Sequence, residues 1–170
     1  MILVLEVITI FFAAVAMSLA LAHALEFPGK MRLNPDTYMA IQTIYYPGFT
    51  IGGIGEPLAI IGSFTLLIAM RDERSFAWIA VGLVALVAMH AVFWFVTQPT
   101  NRFWLRNQQM ANAGSKFFGT ERSSGPHSQE KPVTDFTSMR NRWEYSHIAR
   151  AFLSIVALIV LVIALAESRS

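Results

Sequence analysis

The sequence predicts an all-α integral membrane protein, a single transmembrane domain over residues 1–170 built as a four-helix bundle. Three observations lead to that class. Hydrophobic residues make up 55% of the chain and charged ones 14%, with a mean hydropathy of +0.50, outside the range of an ordinary soluble domain. Four apolar runs, about 2–26, 49–70, 76–97 and 145–166, approach the roughly 20 residues a helix needs to cross about 30 Å of hydrocarbon. Finally, a helix satisfies its own backbone hydrogen bonds, which lipid cannot do for it.

The first run starts at Met1 with no basic segment before it and no small-residue cleavage site after it, so it reads as a retained span. It carries Glu6 at one end and His23 and Glu26 at the other, and Pro28-Gly29 is expected to stop it. Asn34-Pro35-Asp36 then has the chemistry of a helix start, with Asn34 as cap, Pro35 in the first turn and Asp36 complementing the dipole. That helix runs to about Tyr46. Its Tyr38, Ile41, Ile44 and Tyr45 suit either an interfacial helix at the headgroup level or a loop helix packed on the bundle.

The second run opens with Gly52, Gly53 and Gly55 just ahead of Glu56-Pro57. Pro57 disfavours helical geometry at Glu56, and a helix starting at Pro57 would cover only about 21 Å. The glycine-rich part is therefore expected inside the membrane boundary, either bent and lining a cavity or packed closely on another helix. Arg71 to Arg74 form a short polar turn. The third run holds a single ionisable residue, His90, with Trp94 four residues on, and Pro99-Thr100-Asn101-Arg102 is expected to close it. The third connection is long, and residues 114–134 read as flexible. The fourth run begins at Trp143-Glu144-Tyr145-Ser146-His147-Ile148-Ala149-Arg150.

Charge sets the expected orientation. Ten Lys and Arg residues lie in the first and third connections and at the mouth of the fourth run, against Arg71, Arg74 and Arg169 on the opposite side. That asymmetry places both long connections in the cytoplasm and both termini outside, in the plasma (inner) membrane. The same basic residues account for the pI, so no nucleic-acid partner is implied. The partners expected are the bilayer, a hydrophobic small molecule and other membrane subunits. The absence of cysteine excludes disulfides, thiolate nucleophiles and Cys-held clusters.

The ionisable residues concentrate at one depth. His23, Glu26, Glu144, His147 and Arg150 lie at the same end of their helices. Glu56 and His90 lie about 10 Å in from that end by the helical rise. Ionisable groups inside a membrane are costly unless they face protein or water, so this clustering marks a functional site. Several chemistries fit it. A transition metal would be held by His23, Glu26, Glu56, His90, Glu144 and His147, a partial match to dinuclear four-helix sites. Haem would sit between two of His23, His90 and His147. General acid–base chemistry would use a neutral histidine, with Arg102 and Arg150 stabilising an oxyanion. A buried polar network that only pins helix packing is the plainest alternative, and transport is another.

The Pro99-Thr100-Asn101-Arg102 turn, the Arg142-Trp143…His147…Arg150 pattern and the four-span length resemble one family. It is the domain-of-unknown-function family of small membrane proteins that includes the anthrone oxygenases. The resemblance implies insertion of one oxygen atom from O₂ into an activated phenolic ring, a monooxygenase activity with no bound cofactor. The residues that match its motifs are Asn101, Arg102, Trp143, His147 and Arg150. Taken with the clustering at one depth, which adds Glu144 and His90, the expected catalytic set is His147, Glu144, Arg150, His90, Asn101 and Arg102. His147 would be the base, oriented by Glu144, the two arginines would hold the anion and Asn101 would bond substrate or loop backbone. A non-catalytic accessory subunit and a metal- or haem-binding electron-transfer protein are the rival functions.

Overall fold

Alanine fills much of the interior of the bundle, and large apolar side chains face outward. In the computed structural model, which describes residues 1–104 and 133–169, Ala13, Ala59, Ala85 and Ala157 meet with Leu86 and Leu161 in one buried cluster. Phe11, Ile61, Phe64, Val84 and Phe152 are exposed. Water would drive those side chains inward, but lipid does not, and small residues let helix backbones approach. Four helices are long and apolar enough to cross a membrane, and among the described residues there is no strand. The protein is a four-helix membrane bundle.

The helices are α1 (Ile2–Lys30), α2 (Pro35–Ile41) with a 3₁₀ turn (Gln42–Tyr45), α3 (Gly48–Gly52), α4 (Gly55–Ala69), α5 (Phe76–Val92), a π-helical turn (Phe93–Thr97), α6 (Gln98–Trp104) and α7 (Val133–Glu167). α1 packs on α4 and α7, and α5 packs on the same two, closing a ring of four. Neighbours run antiparallel. A Cβ on Gly62 would meet Thr9 and one on Gly55 would meet Val15 and Phe12, so α1 and α4 run in opposite directions.

Three helix ends differ from expectation. α1 does not stop at Pro28-Gly29 but continues to Lys30. The third span does not close at Pro99, which sits inside a continuous helical run. The π turn directly before it explains why. Pro99 has no N–H for the carbonyl of Phe95 four residues earlier, and Arg142 of α7 donates to that carbonyl at 3.0 Å instead. α7 begins at Val133, well before the apolar run. The expected flexible stretch 114–134 lies almost wholly outside the described residues.

Both readings of the glycine-rich stretch hold. The helix breaks between α3 and α4 at Gly53-Ile54, and Gly52 and Gly55 also lie against α1. The Asn34 side chain accepts from the Thr37 N–H at 2.9 Å and caps α2 as its sequence predicts. Tyr38 and Tyr45 pack on the bundle. They are buried against Trp143 of α7, while Ile44 faces outward, so α2 and the 3₁₀ turn cover one end of the bundle.

Candidate functional site

Beneath that cover lies a cavity of about 630 Å³, lined mainly by apolar and aromatic side chains from α1, the 3₁₀ turn, α3, α4, α5, the π turn, α6 and α7. His23, Glu56, His90, Asn101, Trp143, His147 and Arg150 all border it. The helical rise thus placed residues far apart in sequence around one space. Ile51, Ile54 and Trp94 border it too and are themselves exposed.

Glu56 is the hub of one wall. Its Oε2 accepts from Arg150 Nη2 at 2.6 Å and its Oε1 accepts from His90 Nδ1 at 3.0 Å. The indole Nε1–H of Trp94 donates to His90 Nε2 at 2.8 Å. An indole nitrogen can only donate, so Nε2 carries the lone pair and Nδ1 the proton. His90 is therefore a neutral imidazole oriented by a carboxylate, the arrangement that prepares a histidine to take a proton.

The opposite wall is a histidine pair. The rings of His23 and His147 lie 4.1 Å apart, within an aromatic box of Tyr45, Phe49 and Trp143. Lys30 Nζ donates to His23 Nδ1 at 3.5 Å, and Arg150 Nη1 faces His147 Nδ1 at 3.5 Å. Ammonium and guanidinium groups only donate, so each Nδ1 accepts and each Nε2 bears hydrogen. His147 Nε2 and Gln42 Nε2 are both buried with no partner among the described residues. An unpaired buried donor costs about 1–3 kcal/mol, which a ligand acceptor would recover.

A third group closes the end. Lys30, 3% exposed, bridges to Glu26 at 2.7 Å and lies 3.9 Å from Glu144. Its ammonium sits 4.7 Å from the ring centres of Tyr45 and Trp143. Tyr45 donates to Glu26 at 2.5 Å and Tyr38 donates to Glu144 at 2.7 Å. Burial, reinforced by the charge of Glu144, raises the Tyr38 phenol above its usual range. Burial and the bond to Glu26 do the same for Tyr45. Both remain donors.

Several expected roles change on this geometry. Glu144 does not orient His147, because its carboxylate turns to Tyr38 and Lys30. Asn101 is engaged within the protein: it donates to Gln98 at 3.1 Å and accepts from the Trp143 indole at 2.9 Å, tying α6 to α7. The Arg102 side chain lies outside the described residues. The six expected metal ligands do not converge, and among the described residues no three His, Asp or Glu side chains are grouped to hold a metal ion. Glu56 is taken up by Arg150, and Glu26 by Lys30. Haem between His23 and His147 does not fit either, since their rings are already in contact.

Lys30, Tyr38, Gln42 and Tyr45 were missed as site residues. Glu26 and Lys30 stand four apart and His23 and Lys30 seven apart, a one-face spacing that was hidden by ending α1 at Pro28.

The comparison with known families decides the kinship. Residues 49–160 match the anthrone oxygenase family. The chain belongs to the anthrone oxygenase family. The matched stretch contains Glu56, His90, Asn101, Trp143, Glu144, His147 and Arg150, so the family resemblance in the third and fourth spans holds. An oxygenase-like role follows at the level of the family. No curated protein and no solved structure matches the chain.

Proposed function

We propose that this anthrone oxygenase family member is a membrane oxygenase acting on a hydrophobic phenolic or enolisable substrate that reaches the cavity from the bilayer. The observation that carries this reading is the His90–Glu56–Arg150 array, set in the wall of a largely apolar cavity and contained within the family-matched stretch. A substrate with an activated methylene, R₂CH₂, would react with O₂ to give R₂C=O and water. The four electrons lost by carbon are the four that reduce O₂.

His90 takes the first proton at Nε2 once the Trp94 indole swings aside. Glu56 stabilises the imidazolium that forms, and the charge of Arg150 offsets the anion left on the substrate. The resulting carbanion, its charge spread over the aromatic system, is electron-rich enough to reduce O₂ directly. Recombination forms the C–O bond of a hydroperoxide, and loss of the second C–H proton expels water. His147, whose Nδ1 faces Arg150, serves as an N–H donor to a substrate oxygen. The pocket would lie on the cytoplasmic side.

Supplying the nanodisc-embedded protein with anthrone under ¹⁸O₂ tests the reaction. The product carbonyl is expected to carry one ¹⁸O atom and the water formed the other. A product without label would overturn the reading.

A further inference from the structure

The family-matched stretch begins at residue 49, so α1 and the α2 cover lie outside it. Yet the cavity is not closed without them, because His23, Gln42 and Tyr45 form part of its wall. We infer that Lys30 is a positioning residue for the cavity: it fixes His23 as an N–H donor to an oxygen of the bound ligand. The inference rests on the reading above that the cavity holds the substrate.

A lysine is placed here at some expense. It is nearly fully buried, at the end of a helix that carries no ionisable residue between Glu6 and His23. Glu26 and Glu144 supply its countercharge, and the rings of Tyr45 and Trp143 cover it. These partners hold the ammonium in one place, and from there its remaining reach is to His23 Nδ1. Because an ammonium has no lone pair, Nδ1 must accept. The imidazole hydrogen is thereby assigned to Nε2, and the ring cannot serve as an acceptor on that side.

The rest of the cavity shows why that matters. The acceptors of three residues in its wall are already engaged: Glu56 by Arg150 and His90, the Asn101 oxygen by Trp143, and the His90 lone pair by Trp94. Beside them the wall offers N–H. His147 Nε2 and Gln42 Nε2 are unpartnered, and the tautomer imposed by Lys30 adds His23 to them. A flat aromatic ligand with an acceptor oxygen fits such a wall, and the same hydrocarbon without the oxygen leaves it unpaired.

Fluorenone and fluorene share a three-ring skeleton and differ by one carbonyl, so they isolate this contact. Binding to nanodisc-embedded protein, corrected with empty nanodiscs, should favour fluorenone by about tenfold, the worth of one good hydrogen bond. The carbonyl stretch of bound fluorenone should shift to lower frequency. Lys30→Met leaves the His147 and Gln42 donors in place and should reduce both the preference and the shift while fluorene binds as before. Lys30→Arg, which keeps a donor, should retain both in full. His23→Phe keeps the aromatic wall and should reduce both to the same extent, which carries the test if Lys30→Met fails to fold. Lys30→Met protein that keeps the full preference and the full shift would overturn the inference, and so would wild-type protein that binds the two probes equally. Oxygen uptake measured on the same samples separates the two readings. Wild-type protein with the preference but no uptake supports the donor role and sinks the oxygenase.

Discussion

Glu56 and Arg150 stand 94 residues apart in the chain and are joined by a hydrogen bond of 2.6 Å between side chains that are almost fully buried. Neither charge is stable alone at that depth, so each requires the other. Glu56→Gln leaves the guanidinium without a countercharge and should destabilise the protein by about 3–5 kcal/mol. Adding Arg150→Met should restore most of that loss. Thermal melts of the single and double variants in one detergent decide it, and simple additivity would contradict the pairing.

The two buried phenols predict an alkaline limit. Tyr38 and Tyr45 ionise near 10 when unfolded and only at higher pH when folded. Their contribution is therefore whole below about pH 10 and falls as pH rises toward the folded values, because the unfolded chain releases protons that the folded one keeps. Melting temperature should drop between about pH 9 and about pH 11. Tyr38→Phe should melt lower than the parent at neutral pH, since Glu144 loses a donor, yet show a shallower alkaline drop. An identical alkaline slope would refute the assignment.

Arg142 substitutes for the N–H that Pro99 lacks. Arg142→Met should cost about 1–3 kcal/mol by leaving the Phe95 carbonyl without its side-chain donor. In a Pro99→Ala background, where an amide N–H is again available, the same change should cost distinctly less. A double-mutant cycle with no coupling energy would show that the bond is incidental.

At Gly62 the α1–α4 contact leaves no room. An added Cβ would overlap Thr9 Oγ1, so Gly62→Ala should destabilise by about 1–3 kcal/mol. Thr9→Ala should relieve it. Equal melting of Gly62→Ala and parent protein would contradict this packing.

The spans were legible because hydropathy and length alone decide what can cross a bilayer. The depth of the site was legible for a related reason: helical rise converts sequence position into height, and that brought His23, Glu56, His90 and His147 to one cavity. What the sequence hid was partnership. Nothing local says that Glu144 turns to Tyr38 and not to His147, because that depends on α2 folding over the bundle end. Pro28 and Pro99 read as stops since proline usually is one. α1 runs on past Pro28 and a contact from Arg142 supports the helix at Pro99, and with the first misread stop went the spacing that ties Lys30 to His23 and Glu26. The division of labour among the histidines needed hydrogen-bond partners to fix their tautomers, which no spacing supplies.

The central claim is that His90, held by Glu56, takes a substrate proton in a reaction that consumes O₂. Oxygen uptake by nanodisc-embedded protein given anthrone, compared between the parent and His90→Gln, tests it most directly. The account predicts uptake by the parent well above the uncatalysed rate and equimolar with substrate loss. It predicts a fall of about 100-fold or more in a His90→Gln protein that melts like the parent. No uptake above the uncatalysed rate by the parent, or undiminished uptake by folded His90→Gln protein, would contradict it.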